Sequence, residues 1–326
     1  MKKIVTVLTI VVAGMLHAAP PSIQSLADLR KVEAKVKNVV QTRTDCTISL
    51  VSTRSGASGS GVIVSADGLI LTAAHVIEGS REMTVIFPNG SQGKAKVLGA
   101  NYNRDAAMAR LIGDGPWPFA EVGSSDDLDT GDLVVAMGHP KGYDPTRRPP
   151  VRFGRIMTKG DLEFLTTDCT LIGGDSGGPL FDLEGRVVGI HSHIAPDRQV
   201  NNHAGVSGFQ KSWKKMLAGQ SWGSLGGDGR DPNRPVLGVI LEKAEGGMLV
   251  KEAPVGSPAY AAGIRANDLV VEIANREISD PAALGNLFAD YQAGEKIPVI
   301  VYRNEKEETK TVTLGRLAEV YRSYRR

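Results

Sequence analysis

From Thr47 to about Met216 the apolar residues come in short runs cut by glycines: 47–51, 61–64, 69–71, 83–87, 95–98, 132–137, 180–181 and 186–190. Runs this short, separated by turn residues and with few helical stretches, specify an all-β sandwich or barrel. The chain's 38 glycines and 17 prolines supply the turns, and they exclude a helical bundle. Such a β unit does not use up 326 residues; at about 150 residues per domain the length asks for roughly two domains. A hydrophobic share of 41% with 23% charged residues excludes a collagen-like, coiled-coil or largely disordered chain. Lys and Arg total 38 against 36 Asp and Glu, so no strong field draws nucleic acid or acidic membranes. The two cysteines are too few for a disulfide scaffold or a thiolate zinc site.

The segments around the β unit read differently. Lys2 and Lys3, an apolar stretch from Ile4 to Leu16, and small Ala18 and Ala19 form a secretory signal peptide over 1–18. The expected location is therefore periplasmic or secreted. There Cys46 and Cys169 either pair or sit as two separate buried cysteines. Ile23, Leu26, Leu29, Val32, Val36 and Val39 recur at spacings of three and four, which puts one apolar stripe on a helix within an N-terminal segment 19–45. A short helix over 210–217 closes the β region, taken as 46–218. Residues 219–235 combine glycines with serine, aspartate and proline and lack an apolar period, as a flexible linker does. Beyond it, strands over 236–241, 247–250 and 269–273, helices over 258–262 and 281–291, and a hairpin of 297–302 with 308–314 make a compact α+β domain, 236–318. A basic tail, 319–326, follows.

The chemistry lies in the β region. In Gly173-Gly174-Asp175-Ser176-Gly177-Gly178-Pro179-Leu180 a serine is embedded in glycines, as it is on a tight turn whose backbone N–H groups converge to stabilise an oxyanion. A serine hydroxyl becomes a nucleophile only when a base takes its proton, and the base needs a carboxylate to fix its tautomer. Thr72-Ala73-Ala74-His75-Val76 offers the base at a strand end, and Asn103-Arg104-Asp105-Ala106-Ala107-Met108 offers an acid among apolar residues. The same serine run fits the G-x-S-x-G elbow of α/β-hydrolases. That fold needs a helix after the serine and the order Ser, acid, His. Here Gly-Gly-Pro follows and the order is His75, Asp105, Ser176, so the hydrolase reading fails.

The run Gly59-Ser60-Gly61-Val62, Asp67-Gly68-Leu69 and Thr72-Ala73-Ala74-His75 resembles the first barrel of trypsin-like serine proteases of the HtrA (high-temperature-requirement) type. Residues 103–111, 131–140 and 167–180 match further blocks in the same order. Val236-Leu237-Gly238-Val239, Gly256-Ser257-Pro258-Ala259 and Ala262-Gly263-Ile264 are similar to a PDZ domain. The resemblance implies a mainly β fold: a two-barrel trypsin-like protease domain, six strands to each barrel, followed by a small α+β PDZ domain. It implies His75 as general base and acid, Asp105 as its orienting partner and Ser176 as nucleophile. The N–H groups of Gly174 and Ser176 would form the oxyanion hole, and Ser192 would support Asp105. No metal and no organic cofactor is expected. The PDZ-like domain implies capture of peptide C-termini by the backbone of Leu237, Gly238 and Val239.

This chain departs from the family in places. Asp175 stands where HtrA-like enzymes often have asparagine, and nothing in the sequence names its partner. The N-terminal segment lacks the aromatic residues that help HtrA-type proteins trimerise, which leaves a homo-oligomer open. Thr170, Leu171, His191, Ser192 and His193 are expected to line the substrate pocket. Thr170 stands where trypsin has the acid that binds Lys or Arg, so a basic P1 residue is not expected. Two P1 classes stay open: small aliphatic, or acidic through a hydrogen bond from His191, which sits in a Gly-Ile-His run similar to that of glutamyl endopeptidases. A His191/His193 metal pair lacks a third ligand. The expected function is an exported endopeptidase acting on unfolded or partly folded polypeptides. The alternative is a catalytically silent or chaperone-like PDZ peptide-binding protein.

Overall fold

The computed structural model describes residues 23–194, 201–225, 231–278, 280, 284 and 287–324, so the expected signal peptide lies outside the described residues. Ser25 caps α1 (Leu26–Arg43), its hydroxyl accepting from the Asp28 N–H. Only the far half of the apolar stripe is used: Val32, Val36 and Val39 pack on the core, whereas Leu26 and Leu29 remain 64% and 50% exposed.

Two barrels follow. Strands β1 (Thr47–Ser52), β2 (Ser58–Ile63), β3 (Leu69–Thr72), β4 (Glu82–Ile86), β5 (Gln92–Asn101) and β6 (Ala106–Ile112) run in the order β5-β4-β1-β2-β3-β6, and β5 pairs with β6 to close the first. Strands β7 (Leu133–Met137), β8 (Val151–Lys159), β9 (Phe164–Thr167), β10 (Pro179–Phe181), β11 (Val187–Ile194) and β12 (Asn201–Gly205) close the second in the order β10-β11-β12-β9-β8-β7. The expected two six-stranded barrels are therefore present. On β7, Val134 and Ala136 enter the core of the second barrel while Val135 and Met137 join the larger core shared with the first. The two-residue period of a strand thus buries both faces and joins the barrels. Cys46 and Cys169 fall in these two separate cores and are unpaired. Burial pushes their thiols up to about 12 and about 11.

Helix α3 (Val206–Leu217) ends the two-barrel region. The stretch read as linker is ordered at its start, a correction to the sequence reading. Ser221–Trp222 forms β13, which pairs in parallel with β5, and Trp222 is buried with its indole N–H donating to the Ala289 carbonyl at 3.0 Å. An indole that buries its area and satisfies its N–H holds the chain against the barrel. The last domain has its own core under a sheet of β15 (Ile240–Ala244), β16 (Gly247–Glu252), β17 (Leu269–Ile273), β19 (Lys296–Arg303) and β20 (Lys306–Thr313) in that order, with β18 (Arg276–Glu277) on β17. The expected strand over 236–241 is broken: β14 (Pro235–Val236) pairs with β21 (Gly315–Arg316), and the chain re-enters the sheet only at Ile240. Residues Leu317–Tyr324, expected mostly as tail, form a helix anchored by Leu317 and Ala318 N–H bonds to the Arg234 and Pro232 carbonyls.

Candidate active site

The site is assembled from the ends of elements in both barrels. His75 sits in α2 (Ala74–Ile77), the single helical turn that follows β3. Asp105 ends the 3-10 turn Tyr102–Arg104 with φ of 50°, a left-handed conformation that aspartate tolerates better than most residues. Its backbone carbonyl accepts the Ala74 N–H, and its Oδ1 accepts the His75 N–H at 3.0 Å. The carboxylate also meets the ring, with His75 Nδ1 donating to Asp105 Oδ2 at 2.8 Å. Burial opposes protonation of His75, but the hydrogen bond and charge of Asp105, with the charge of Glu78, outweigh it and raise its pKa above the ordinary value.

Ser192 joins the two barrels at this point. Its hydroxyl donates to Asp105 Oδ2 at 2.5 Å, where the resemblance placed it, and its carbonyl accepts from Ser176 Oγ at 3.3 Å. Among the described residues Ser176 Oγ has that bond and none to His75. Behind Ser192 stands His193, whose Nδ1 lies 3.1 Å from Ser192 Oγ and whose Nε2 lies 3.0 Å from Asn202 Nδ2. Asn202 donates to Nε2, so the Nδ1–H tautomer donates to Ser192. Asp105 is thereby held by a chain of donors from both sides.

The serine turn is held by its carbonyls. Gly173 O accepts from Lys141 N–H at 2.7 Å, Gly174 O from Ser60 Oγ at 2.8 Å, Asp175 O from Gly178 N–H at 2.8 Å and Ser176 O from Ser60 N–H at 2.7 Å. In a trans peptide the N–H points opposite to the C=O. The anchored Gly173 and Asp175 carbonyls therefore aim the Gly174 and Ser176 N–H groups the other way, and neither has an acceptor among the described residues. Only glycine fits at 174 and 177. Their φ values are +99° and +85°, and a Cβ would lie 2.4 Å from Lys141 N and 2.2 Å from Ser60 O respectively.

Of the residues expected to line the pocket, Thr170 is exposed and Leu171 is buried. His191 is fully buried with both ring nitrogens engaged, Nε2 at 3.0 Å from Met137 O and Nδ1 at 2.9 Å from His203 Nδ1. His203 Nε2 in turn lies 2.8 Å from Thr167 Oγ1, which accepts the Cys169 N–H. One proton arrangement satisfies all of these: Thr167 donates to His203, His203 to His191, and His191 to Met137 O. Burial, with the second imidazole alongside, pushes the pKa of His191 well down, and burial brings His203 to about 3, so both rings are neutral. Of the two P1 classes left open, the acidic one therefore lacks the donor it needs, because both ring nitrogens of His191 are engaged. His191 and His193 engage different partners. His203 and Asn202 escaped the sequence reading, since each acts through a partner on another strand of the barrel.

The loop carrying Asp105 is also the contact with the PDZ-like domain. Arg104 Nε and Nη2 donate to the two carboxylate oxygens of Asp290 at 2.7 and 2.9 Å. Asn101, Asn103 and Trp222 all donate to the Ala289 carbonyl. In that domain the N–H groups of Leu237, Gly238 and Val239 have no acceptor among the described residues. They lead into β15, an edge strand paired on one side only.

The family model for a trypsin-like peptidase domain matches residues 59–190, and that for a PDZ domain matches residues 235–314. The chain is 32% identical over 272 residues to a protein of Marinomonas sp. (strain MWYL1) named probable periplasmic serine endoprotease DegP-like, covering 78% of this chain and 56% of that one. It is 29% identical over 293 residues to the serine protease Do-like HtrA of Bacillus subtilis (strain 168), covering 82% and 65%. The chain therefore spans between about half and two thirds of the length of these relatives. The crystal structure of the serine endoprotease from Yersinia pestis superposes with a TM-score of 0.64 at 25% identity, over 86% of this chain and 98% of that one. The HtrA-type protease AlgW with a tripeptide gives 0.67 at 24% identity, over 86% and 96%, a likeness of fold.

Proposed function

We propose that this chain, which belongs to the HtrA-type trypsin-like serine proteases with a C-terminal PDZ domain, is an exported serine endopeptidase that cleaves unfolded or damaged polypeptides. The observation that carries the reading is the 2.8 Å contact of His75 Nδ1 with Asp105, beside a serine turn whose Gly174 and Ser176 N–H groups are unengaged. In this reading Ser176 Oγ leaves Ser192 O and turns to His75 Nε2. His75 takes the hydroxyl proton as Oγ attacks the scissile carbonyl, and Asp105 holds the ring and its developing charge. The Gly174 and Ser176 N–H groups receive the oxyanion. Collapse breaks the C–N bond, with the proton passing from His75 to the leaving amine, and water then releases the acyl group by the same route reversed. No step asks for a metal or an organic cofactor. The peptide C-terminus of a partner adds as a strand beside β15, its carboxylate on the N–H groups of Leu237, Gly238 and Val239. Export is supported by relatives named periplasmic.

A fluorophosphonate probe tests the reading. It should label the wild-type chain at Ser176 and leave Ser176→Ala unlabelled, and casein cleavage should vanish with the label. The hydrogen bond from Ser176 Oγ to Ser192 O favours a second reading, a silent PDZ peptide-binding protein. Absence of label and of cleavage in the wild type, with PDZ peptide binding intact, would select it.

A further inference from the structure

The residue beside the nucleophile carries a charge that the mechanism does not use. Asp175 is fully buried, and its carboxylate takes three donors. Arg152 Nη1 donates to Oδ1 at 3.1 Å, Arg152 Nη2 to Oδ2 at 2.5 Å and the Ile172 N–H to Oδ2 at 2.9 Å. Arg152 lies on β8, opposite Ala136 of β7, with its side chain 17% exposed. It is the one cation in ion-pair contact with Asp175 among the described residues.

The main chain of Asp175 belongs to the turn that aims both unengaged N–H groups. Its N–H donates to Ile172 O at 3.0 Å, and its carbonyl accepts the Gly178 N–H that sets the 175–176 peptide. A buried carboxylate without a counter-charge is strongly disfavoured. Burial already raises the pKa of Asp175, so it then either takes up a proton in place or swings out to water, and the swing would turn the 173–176 peptides with it. We infer that Arg152 is a positioning residue of the active site: by holding the Asp175 carboxylate inside, it keeps the Gly174 and Ser176 N–H groups aimed at the developing oxyanion. The inference rests on the proposed endopeptidase reading. It answers what balances Asp175 in a chain whose sequence names no partner for it, since a cation from the second barrel is built into the fold.

The test compares full-length wild type, Arg152→Met, Arg152→Lys and the double variant R152M/D175N. R152M should lower kcat on a peptide substrate on the order of 10²-fold with KM nearly unchanged, the loss expected when an oxyanion donor is misplaced. Fluorophosphonate labelling should slow in parallel. R152K, which keeps the charge but not the two-pronged contact, should fall between. In R152M/D175N no charge remains to be balanced, and the amide oxygen can still accept the Ile172 N–H, so kcat should recover to within about tenfold of wild type. A merely structural role for Arg152 would lower the melting temperature and the fraction of sites that label, but would leave kcat per fluorophosphonate-titrated site unchanged. R152M with kcat within threefold of wild type overturns the inference, as does a folded double variant that stays as slow as R152M. Should R152M not fold, the double variant decides alone: kcat within about tenfold of wild type supports the inference, and a larger loss in the folded protein overturns it. If wild type neither labels nor cleaves, the endopeptidase reading itself has failed.

Discussion

Replacing Asp290 by alanine should loosen the PDZ domain from the first barrel without unfolding either. The Arg104 and Asp290 side chains are 3% and 9% exposed, and they meet through two bonds of 2.7 and 2.9 Å. Removing one partner of a buried ion pair costs about 3–5 kcal/mol. Here Arg104 keeps the Leu162 carbonyl at 2.8 Å and Glu163 at 3.3 Å, so about 2–3 kcal/mol is expected. That is roughly a 30- to 150-fold shift in the docking equilibrium. The bonds to the Ala289 and Asp290 carbonyls, among them Lys215 Nζ at 2.6 Å, do not depend on the deleted side chain. The docked form therefore stays dominant. Hydrogen–deuterium exchange over 220–224 and 287–292 should rise by that same factor, with the β19–β20 hairpin unchanged. R104M/D290L should recover part of the protection, because neither partner is then left charged and buried. Exchange at both segments within threefold of wild type would refute the reasoning, and so would an equal rise across the whole PDZ sheet.

Asp105→Asn should cut kcat by orders of magnitude and move the acid limb of kcat/KM to lower pH. The Asp105 contact is what raises His75, and activity is lost as pH falls through that raised pKa; an unmoved limb contradicts the assignment. A chain ended after Leu225 should fold and cleave a short peptide, whereas one ended at Gly219 should melt lower because it lacks β13 and Trp222; equal melting temperatures would argue against a structural role for the start of the linker. His203 has a folded pKa of about 3 against about 6.5 in the unfolded chain. Its contribution is therefore complete above about 6.5 and is lost as pH falls from there towards 3. Replacing His191 and His203 together by apolar residues should flatten the denaturant midpoint over that range, and an unchanged slope would count against the pair. Profiling at P1 should favour Ala or Val over Glu, since His191 has no free nitrogen for a carboxylate; preference for Glu that His191→Val abolishes would reverse this.

What could be read from the sequence was whatever a local rule determines. His75 needs a strand end and one helical turn, and Ser176 needs glycines in left-handed or crowded positions. Both demands are written within a few residues. β17 was legible to the residue because its apolar run is bounded by turn signals. β8 was not. Val151, Phe153 and Met157 face outward while Gly154 and Ile156 face in, so its pattern hides the strand that supplies Arg152. Trp222 was read as part of a linker because glycines surround it, although its partner Ala289 lies far along the chain. The same distance concealed Arg104 with Asp290, and Arg152 with Asp175.

Among the strands that build the site, β12 reads worst in sequence, and for a physical reason. β12 is Asn-Asn-His-Ala-Gly, a poor strand by composition. Yet Asn201 Oδ1 accepts the Leu171 N–H, Asn202 meets His193, and His203 completes the chain between Thr167 and His191. Each polar side chain is a partner for a group near Ser176, so the local preference gives way where the candidate site requires it. β11 shows how the backbone is adjusted to match. Its register with β12 pairs His191 with His203 but His193 with Asn202, leaving Ser192 as the extra residue of a bulge. A bulge redirects the side chain it carries. Here it sends the Ser192 hydroxyl to Asp105 and its carbonyl to Ser176. A regular strand would continue the alternation past His191 and place Ser192 and His193 on opposite faces, whereas the bulged one lets both stand behind the same aspartate.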